Sequence, residues 1–173
     1  MPTKMSLITE FGNLCERAAR VGGQILRDHA GRVQAREKSP ADLVTDADIA
    51  SQRAIRDFLL GAFPDHGFLA EENESIPPGP DGMRWIVDPL DGTTNFAHSF
   101  PVYNVTLGLE RAGEMIAGVI FDPTRNEMFA TERGGGAWLN NRRIRVSTAA
   151  RLQDSLIATG FPSKKRHQNV NIH

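Results

Sequence analysis

The sequence predicts an α+β fold in which two helices pack on one face of a mainly antiparallel sheet. Residues 7–63 carry two apolar patterns of helical period, and residues 85–146 change to alternating or continuous apolar runs broken by turn residues. At 173 residues the chain can bury a real core as one domain of ordinary size, or as one lobe of something larger.

The first helix is predicted from Leu7 to about His29. Leu7, Phe11, Leu14, Ala18 and Ile25 recur on one face, with Ile8, Cys15 and Ala19 beside them, and Gly31 is its stop. After a polar stretch, Asp48-Ile49 opens a second pattern through Ile55, Phe58, Leu59 and Phe63, ended by Pro64, with capping oxygens from Thr45 and Asp46. Gly67-Phe68-Leu69-Ala70 reads as a short strand leading into Glu71-Glu72. Ser75 to Gly82, with Pro77, Pro78 and Pro80, reads as a loop before a buried strand at Trp85-Ile86-Val87. Tyr103–Leu109 alternates, Ala112-Gly113-Glu114 makes a turn, Met115–Phe121 returns, and a loop at Asp122–Asn126 leads to a third strand at Glu127–Thr131. Gly134-Gly135-Gly136 lacks the strand-then-helix setting and the Lys-Ser/Thr of a phosphate-binding P-loop, so it reads as a tight β connection. Asn140-Asn141 tolerates positive φ and would join Ala137–Leu139 to Arg143–Val146 as a hairpin.

The net charge of −1 supplies no broad basic field, so a nucleic-acid partner is not expected. A bound phosphate would need its countercharge from metal ions or a few placed side chains. The single cysteine, Cys15, excludes an internal disulfide, suits a reducing cytoplasm and falls in the apolar stripe of the first helix, where it packs. No apolar run reaches the length of a membrane span, and Met1–Lys4 does not begin a signal peptide. The expectation is a cytoplasmic protein with no membrane partner.

The chemistry is expected where the Trp85 strand runs into Asp88-Pro89-Leu90-Asp91-Gly92-Thr93-Thr94. Pro89 restricts φ and Gly92 frees it, which would set the directions of two nearby carboxylates. Hard divalent cations such as Mg²⁺ take such oxygen ligands. The Gly-Thr-Thr that follows would offer backbone N–H groups and hydroxyls at a helix start, a seat for phosphate. By residue type alone the segment could equally be a surface turn. Glu71-Glu72 could be a solvated acidic turn, Asp48 a helix cap, and Lys38 a loop lysine. These groups nonetheless lie at element ends, where carboxylates from separate parts of a chain can converge on metal ions.

Three motifs decide between the readings. Lys38-Ser39-Pro40-Ala41-Asp42-Leu43-Val44-Thr45-Asp46-Ala47-Asp48, Phe68-Leu69-Ala70-Glu71-Glu72 and Trp85-Ile86-Val87-Asp88-Pro89-Leu90-Asp91-Gly92-Thr93-Thr94-Asn95-Phe96 together resemble the inositol monophosphatase family of Mg²⁺-dependent, lithium-sensitive phosphomonoesterases. The resemblance continues through Ala97-His98-Ser99-Phe100-Pro101 and reaches about Gly160-Phe161-Pro162. It implies the amino-terminal lobe of a layered αβαβα fold over residues 1–162. It also implies hydrolysis of a sugar or cyclitol phosphate, foremost myo-inositol 1-phosphate, with two or three Mg²⁺ ions; an apolar face on which a further lobe would pack, left exposed, is expected to favour a homodimer.

On this resemblance Glu71, Asp88 and the Leu90 carbonyl hold the first metal, while Asp88 and Asp91 share in the second. Thr93, linked to Asp48, orients and helps deprotonate the attacking water. Substrate phosphate meets Gly92, Thr93 and Thr94, with Glu71 and Asp91 also facing substrate. Lys38 adds electrostatic support, and His98 makes a structural hydrogen bond.

The family's Trp-Asp-x-Ala segment, whose aspartate completes the second metal site, does not occur in the sequence, so that site is expected to be incomplete. Residues 163–173, which include Lys164-Lys165-Arg166, are polar and basic without periodicity and are expected to form a disordered tail. Smaller departures are Ala70 for a usual Gly, Asn73 for a usual Ser and Asn141 for a turn Gly; none removes a ligand. Two other readings stand beside the phosphatase: an impaired fragment that binds metal weakly, and a non-catalytic partner of the transcription machinery.

Overall fold

The structure, a computed structural model, describes residues 10–32, 35–39, 42–72 and 74–158, without the side chains of 10, 35–39, 42 and 43. The expected tail at 163–173 and the first residues of the expected first helix lie outside the described residues.

Helix α1 (Glu10–His29) buries Leu14, Cys15, Ala18, Ala19 and Leu26, a stripe of helical period. A two-stranded hairpin follows, β1 (Ala35–Ser39) with β2 (Asp42–Thr45), where the sequence suggested only a polar connection. Helix α2 (Asp46–Ala62) starts two residues before the expected Asp48, because Thr45 is its N-cap. The Thr45 hydroxyl accepts from the Asp48 N–H, and the Asp48 carboxylate accepts from the Thr45 N–H, a reciprocal capping box. Its carboxyl end falls just before Phe63-Pro64, as expected.

The main sheet has the order β10-β9-β8-β7-β6-β5-β3-β4. Its strands are β3 (Gly67–Ala70), β4 (Glu74–Ile76), β5 (Met83–Asp91), β6 (Asn104–Arg111), β7 (Glu114–Asp122), β8 (Glu127–Glu132), β9 (Gly136–Leu139) and β10 (Arg142–Ile144). Only the β3–β5 pair among them is parallel. Edge strand β4 occupies the start of the expected proline loop, and Pro77-Pro78 ends it. A short third helix, α3 (Thr93–Ala97), follows β5. The turn at Asn140 and Asn141 has φ of 46° and 64° at its two residues, the geometry that a two-residue hairpin needs.

Both long helices cover one face of this sheet, α1 over β6–β8 and α2 over β5. Trp85, Val87, Leu107, Leu109, Val119, Phe121 and Met128 point into that layer and are almost fully buried. Gly22 and Gly23 set the spacing, since an added Cβ would stand 2.6 Å from the Ile55 side chain or from the Phe121 ring. On the opposite face Leu69, Ile86, Gly108 and Met115 line a groove of about 450 Å³, and Met115 and Ile120 are half exposed. Among the described residues no helix is long and apolar enough to cross a membrane.

Candidate active site

The parallel pairing of β3 with β5 places Ala70 opposite Val87, so the two strands end side by side and Glu71 follows one as Asp88 extends the other. The Glu71 N–H donates to the Val87 carbonyl at 3.3 Å, which holds this alignment one residue past the strand. The carboxyl ends of parallel strands are where α/β sheets gather ligands.

Beyond Asp88 the pairing of β5 with β6 slips, resuming at Asp91 opposite Asn104. Within this bend the Leu90 N–H donates to Asp88 Oδ1 at 3.1 Å, a short loop closed across Pro89. The Leu90 side chain is anchored in the core while its carbonyl accepts from the Thr93 hydroxyl at 3.1 Å. Asp91 is exposed, and its Oδ2 accepts from Asn104 Nδ2 at 3.0 Å; Asn104 is braced in turn by the Thr106 hydroxyl at 2.8 Å.

Burial together with the neighbouring charges of Glu71 and Asp91 pushes the Asp88 carboxyl up to about 7. A half-buried carboxylate between two others is a group that a divalent cation relieves. Among the described residues no three acidic, imidazole or thiol side chains are already drawn in around a single point as a finished metal cluster. Glu71 and Asp91 both stand close enough to Asp88 for their charges to act on it. The hard oxygen atoms of all three, with the Leu90 carbonyl, form a donor set that fits Mg²⁺.

Gly92, with φ of 94°, turns the chain from β5 into α3. A Cβ there would stand 3.0 Å from the Val102 carbonyl oxygen. The turn puts the Thr93 hydroxyl 3.2 Å from Asp48 Oδ1. Asp48 is buried, which raises its proton affinity, against hydrogen bonds from the Thr45 hydroxyl at 2.5 Å, the Thr45 N–H at 2.8 Å and Thr93. Thr93 has one hydroxyl proton and two acceptor neighbours, Asp48 and Leu90, so its oxygen keeps lone pairs for a donor arriving from solvent.

The structure thus brings Glu71, Asp88, Leu90, Asp91, Gly92, Thr93 and Asp48 into one neighbourhood. Thr94 is exposed on the first turn of α3, and its carbonyl accepts from His98 Nδ1 at 2.8 Å. Lys38 belongs to β1, whose register slips between Glu37 and Ser39, and its side chain lies outside the described residues. Cys15 is fully buried and its thiol is pushed up to about 12, mainly by that burial.

Sequence reasoning missed three polar residues that touch these segments. Ser51 Oγ donates to the Pro89 carbonyl at 3.0 Å. Gln52 Oε1 accepts from the Glu72 N–H at 3.1 Å, while its Nε2 donates to the Glu72 carbonyl at 3.4 Å and to Glu74 Oε2 at 3.2 Å. Asn104 is the third. The available signal was polar residues at 48, 51 and 52, one helix face, where an apolar stripe was due.

The sequence model of the inositol monophosphatase family matches residues 8–172. The chain is 47% identical over 154 residues to the inositol-1-monophosphatase of Rhizobium meliloti, covering 87% of this chain and 58% of that protein. It is 37% identical over 156 residues to the Nus factor SuhB of Pasteurella multocida, covering 88% and 58%. The crystal structure of the extragenic suppressor protein suhB from Bartonella henselae superposes with a TM-score of 0.77 at 45% identity, over 81% of this chain and 55% of that one. The chain therefore spans somewhat more than half the length of these relatives.

Proposed function

The chain belongs to the inositol monophosphatase family, and on that premise we propose that it carries the metal- and water-handling part of a phosphate-monoester hydrolase, with myo-inositol 1-phosphate as the foremost substrate. The observation that carries the reading is the hydrogen bond of 3.2 Å from Thr93 to the buried Asp48, made beside the Asp88–Asp91 bend. A threonine held by a buried aspartate next to crowded carboxylates has no evident task in packing alone.

In this reading Glu71, Asp88, Asp91 and the Leu90 carbonyl hold Mg²⁺. When bound, the metal supplies positive charge against the phosphoryl oxygens and lowers the pKa of water. Asp48 Oδ1 holds the Thr93 proton, which leaves Thr93 Oγ to accept a hydrogen bond from the attacking water and so to aim it. As the water's proton passes to Thr93 Oγ, the threonine's own proton passes to Asp48 Oδ1, and burial makes that carboxylate a better acceptor. The N–H groups that open α3, with the Thr94 hydroxyl, seat the substrate phosphate. Asn104 steadies Asp91, and Lys38 supports the site electrostatically.

The expected result is Mg²⁺-dependent release of phosphate from inositol 1-phosphate, inhibited by lithium and abolished by Asp88→Asn. Metal binding without turnover would favour the impaired-fragment reading over the phosphatase. Relatives named Nus factors support a second reading, a binding role in transcription, which predicts metal-independent capture of a polymerase component. A homodimer is proposed on the ground of an exposed apolar lobe face, and sedimentation at micromolar protein tests it.

A further inference from the structure

We propose that Ser51 and Gln52 are positioning residues, and that one face of α2, formed by Asp48, Ser51 and Gln52, holds the three segments of the site in register for cation binding. The inference rests on the assignment of Glu71, Asp88 and Asp91 as metal ligands.

These three side chains occupy positions i, i+3 and i+4 of the helix and therefore project from the same face. All three are polar and buried, at 1%, 0% and 6% exposure. Burying polar groups on the core side of a helix is costly unless every one is hydrogen-bonded. Here each is bonded, and each to a different segment. Asp48 accepts from Thr93 at the start of α3, and Ser51 donates to the carbonyl of Pro89 between ligands Asp88 and Leu90. Gln52 clasps both backbone groups of Glu72, the residue after ligand Glu71.

The Gln52 amide has one orientation that satisfies this setting. Its oxygen faces the Glu72 N–H, and its two N–H groups face the Glu72 carbonyl and the Glu74 carboxylate. Turned over, it would set oxygen against oxygen at all of its acceptor neighbours. Glu71 itself is exposed and stands in a turn. Its backbone is held to Val87 on one side, and the clasp of Gln52 on Glu72 holds the other. Release of that clasp frees Glu71 to swing away from Asp88. Release of Ser51 frees the Pro89 peptide on which the Asp88 and Leu90 oxygens depend. Groups that orient ligands in this way typically change metal affinity by roughly 10- to 100-fold when removed.

The test is titration of the full chain with Mn²⁺, reading free Mn²⁺ by electron paramagnetic resonance, alongside urea unfolding without metal. Gln52→Met keeps the length and removes all three hydrogen bonds; Ser51→Ala removes one hydroxyl and leaves a good helix residue, so it stays informative if the first variant does not fold. Ile55→Val, on the same buried face one turn beyond Ser51 and Gln52 and with no polar group to bond the site segments, is the control for a loosened helix. The expected result is Mn²⁺ binding weakened about 10-fold or more in Gln52→Met and in Ser51→Ala, and unchanged within about twofold in Ile55→Val. Affinity within about twofold of the parent in both test variants, or an equal loss in Ile55→Val, overturns the inference while Glu71-dependent binding in the parent keeps the ligand assignment. Parent binding that is absent, or indifferent to Glu71→Gln, removes the ligand assignment and this inference with it.

Discussion

Replacing Gly92 with alanine probes the joint between the strand that carries the carboxylates and the helix that carries Thr93. The native φ of 94° lies in the left-handed region, where an L side chain costs about 1–2 kcal/mol. The new Cβ would also press within 3.0 Å of the Val102 carbonyl oxygen and 3.3 Å of Tyr103, an overpacking cost of about 1 kcal/mol at the low end of its range. Reduced freedom of the unfolded chain offsets about 0.5 kcal/mol. The net loss is about 1.5–2.5 kcal/mol, or roughly 3–10 °C in Tm for a chain of this size. Urea unfolding followed by circular dichroism should show a lower midpoint at constant m value. Gly61, helical and with no atom within 4 Å of an added Cβ, is the internal comparison; alanine there should stabilise by about 0.5–1 kcal/mol. A Gly92→Ala protein within about 0.5 kcal/mol of the parent would refute the reasoning about this turn.

Two further outcomes follow from titrating groups away from the site. Burial pushes Asp122 up, but hydrogen bonds from the Thr124 hydroxyl and from the Arg125 and Thr124 N–H groups prevail and hold it below its ordinary 3.8. Its stabilisation is therefore fully present above about pH 4 and is lost as pH falls through the lower native value. Asp122→Asn should be less stable than the parent at pH 6, with the difference closing toward pH 2, and a difference constant with pH would contradict this. Cys15, with its thiol pushed up to about 12, should resist a thiol-specific disulfide reagent at pH 8 in native protein and react fully in urea. Fast native labelling would show that α1 does not bury it.

What was legible in the sequence was what local chemistry specifies. The stripe through Leu14, Cys15, Ala18 and Ala19 declares α1, the Asn140-Asn141 pair declares its hairpin, and Asp88-Pro89-Leu90-Asp91-Gly92 declares a turn between a buried strand and a helix. The parallel neighbour relation of β3 and β5 is a non-local pairing, so the nearness of Glu71 to Asp88 came from family resemblance and not from spacing. Hairpin β1–β2 and edge strand β4 are too short for a period to show, and Ser75 beside Pro77-Pro78 reads locally as loop. Ser51, Gln52 and Asn104 escaped notice because an isolated polar residue on a helix or strand reads as solvent-facing. Only the fold reveals that Ser51 and Gln52 turn inward, toward backbone groups 38 and 20 residues away, and that Asn104 meets a carboxylate 13 residues away.

The central claim is that Glu71, Asp88 and Asp91, gathered at the ends of β3 and β5, form a divalent-cation site. Calorimetric titration of Mg²⁺ into the full chain and into Asp88→Asn tests it without reference to any substrate. The account predicts saturable binding in the parent that is lost in Asp88→Asn, with both proteins folded by circular dichroism. Binding of equal strength in the two proteins, or none in the folded parent, would contradict it.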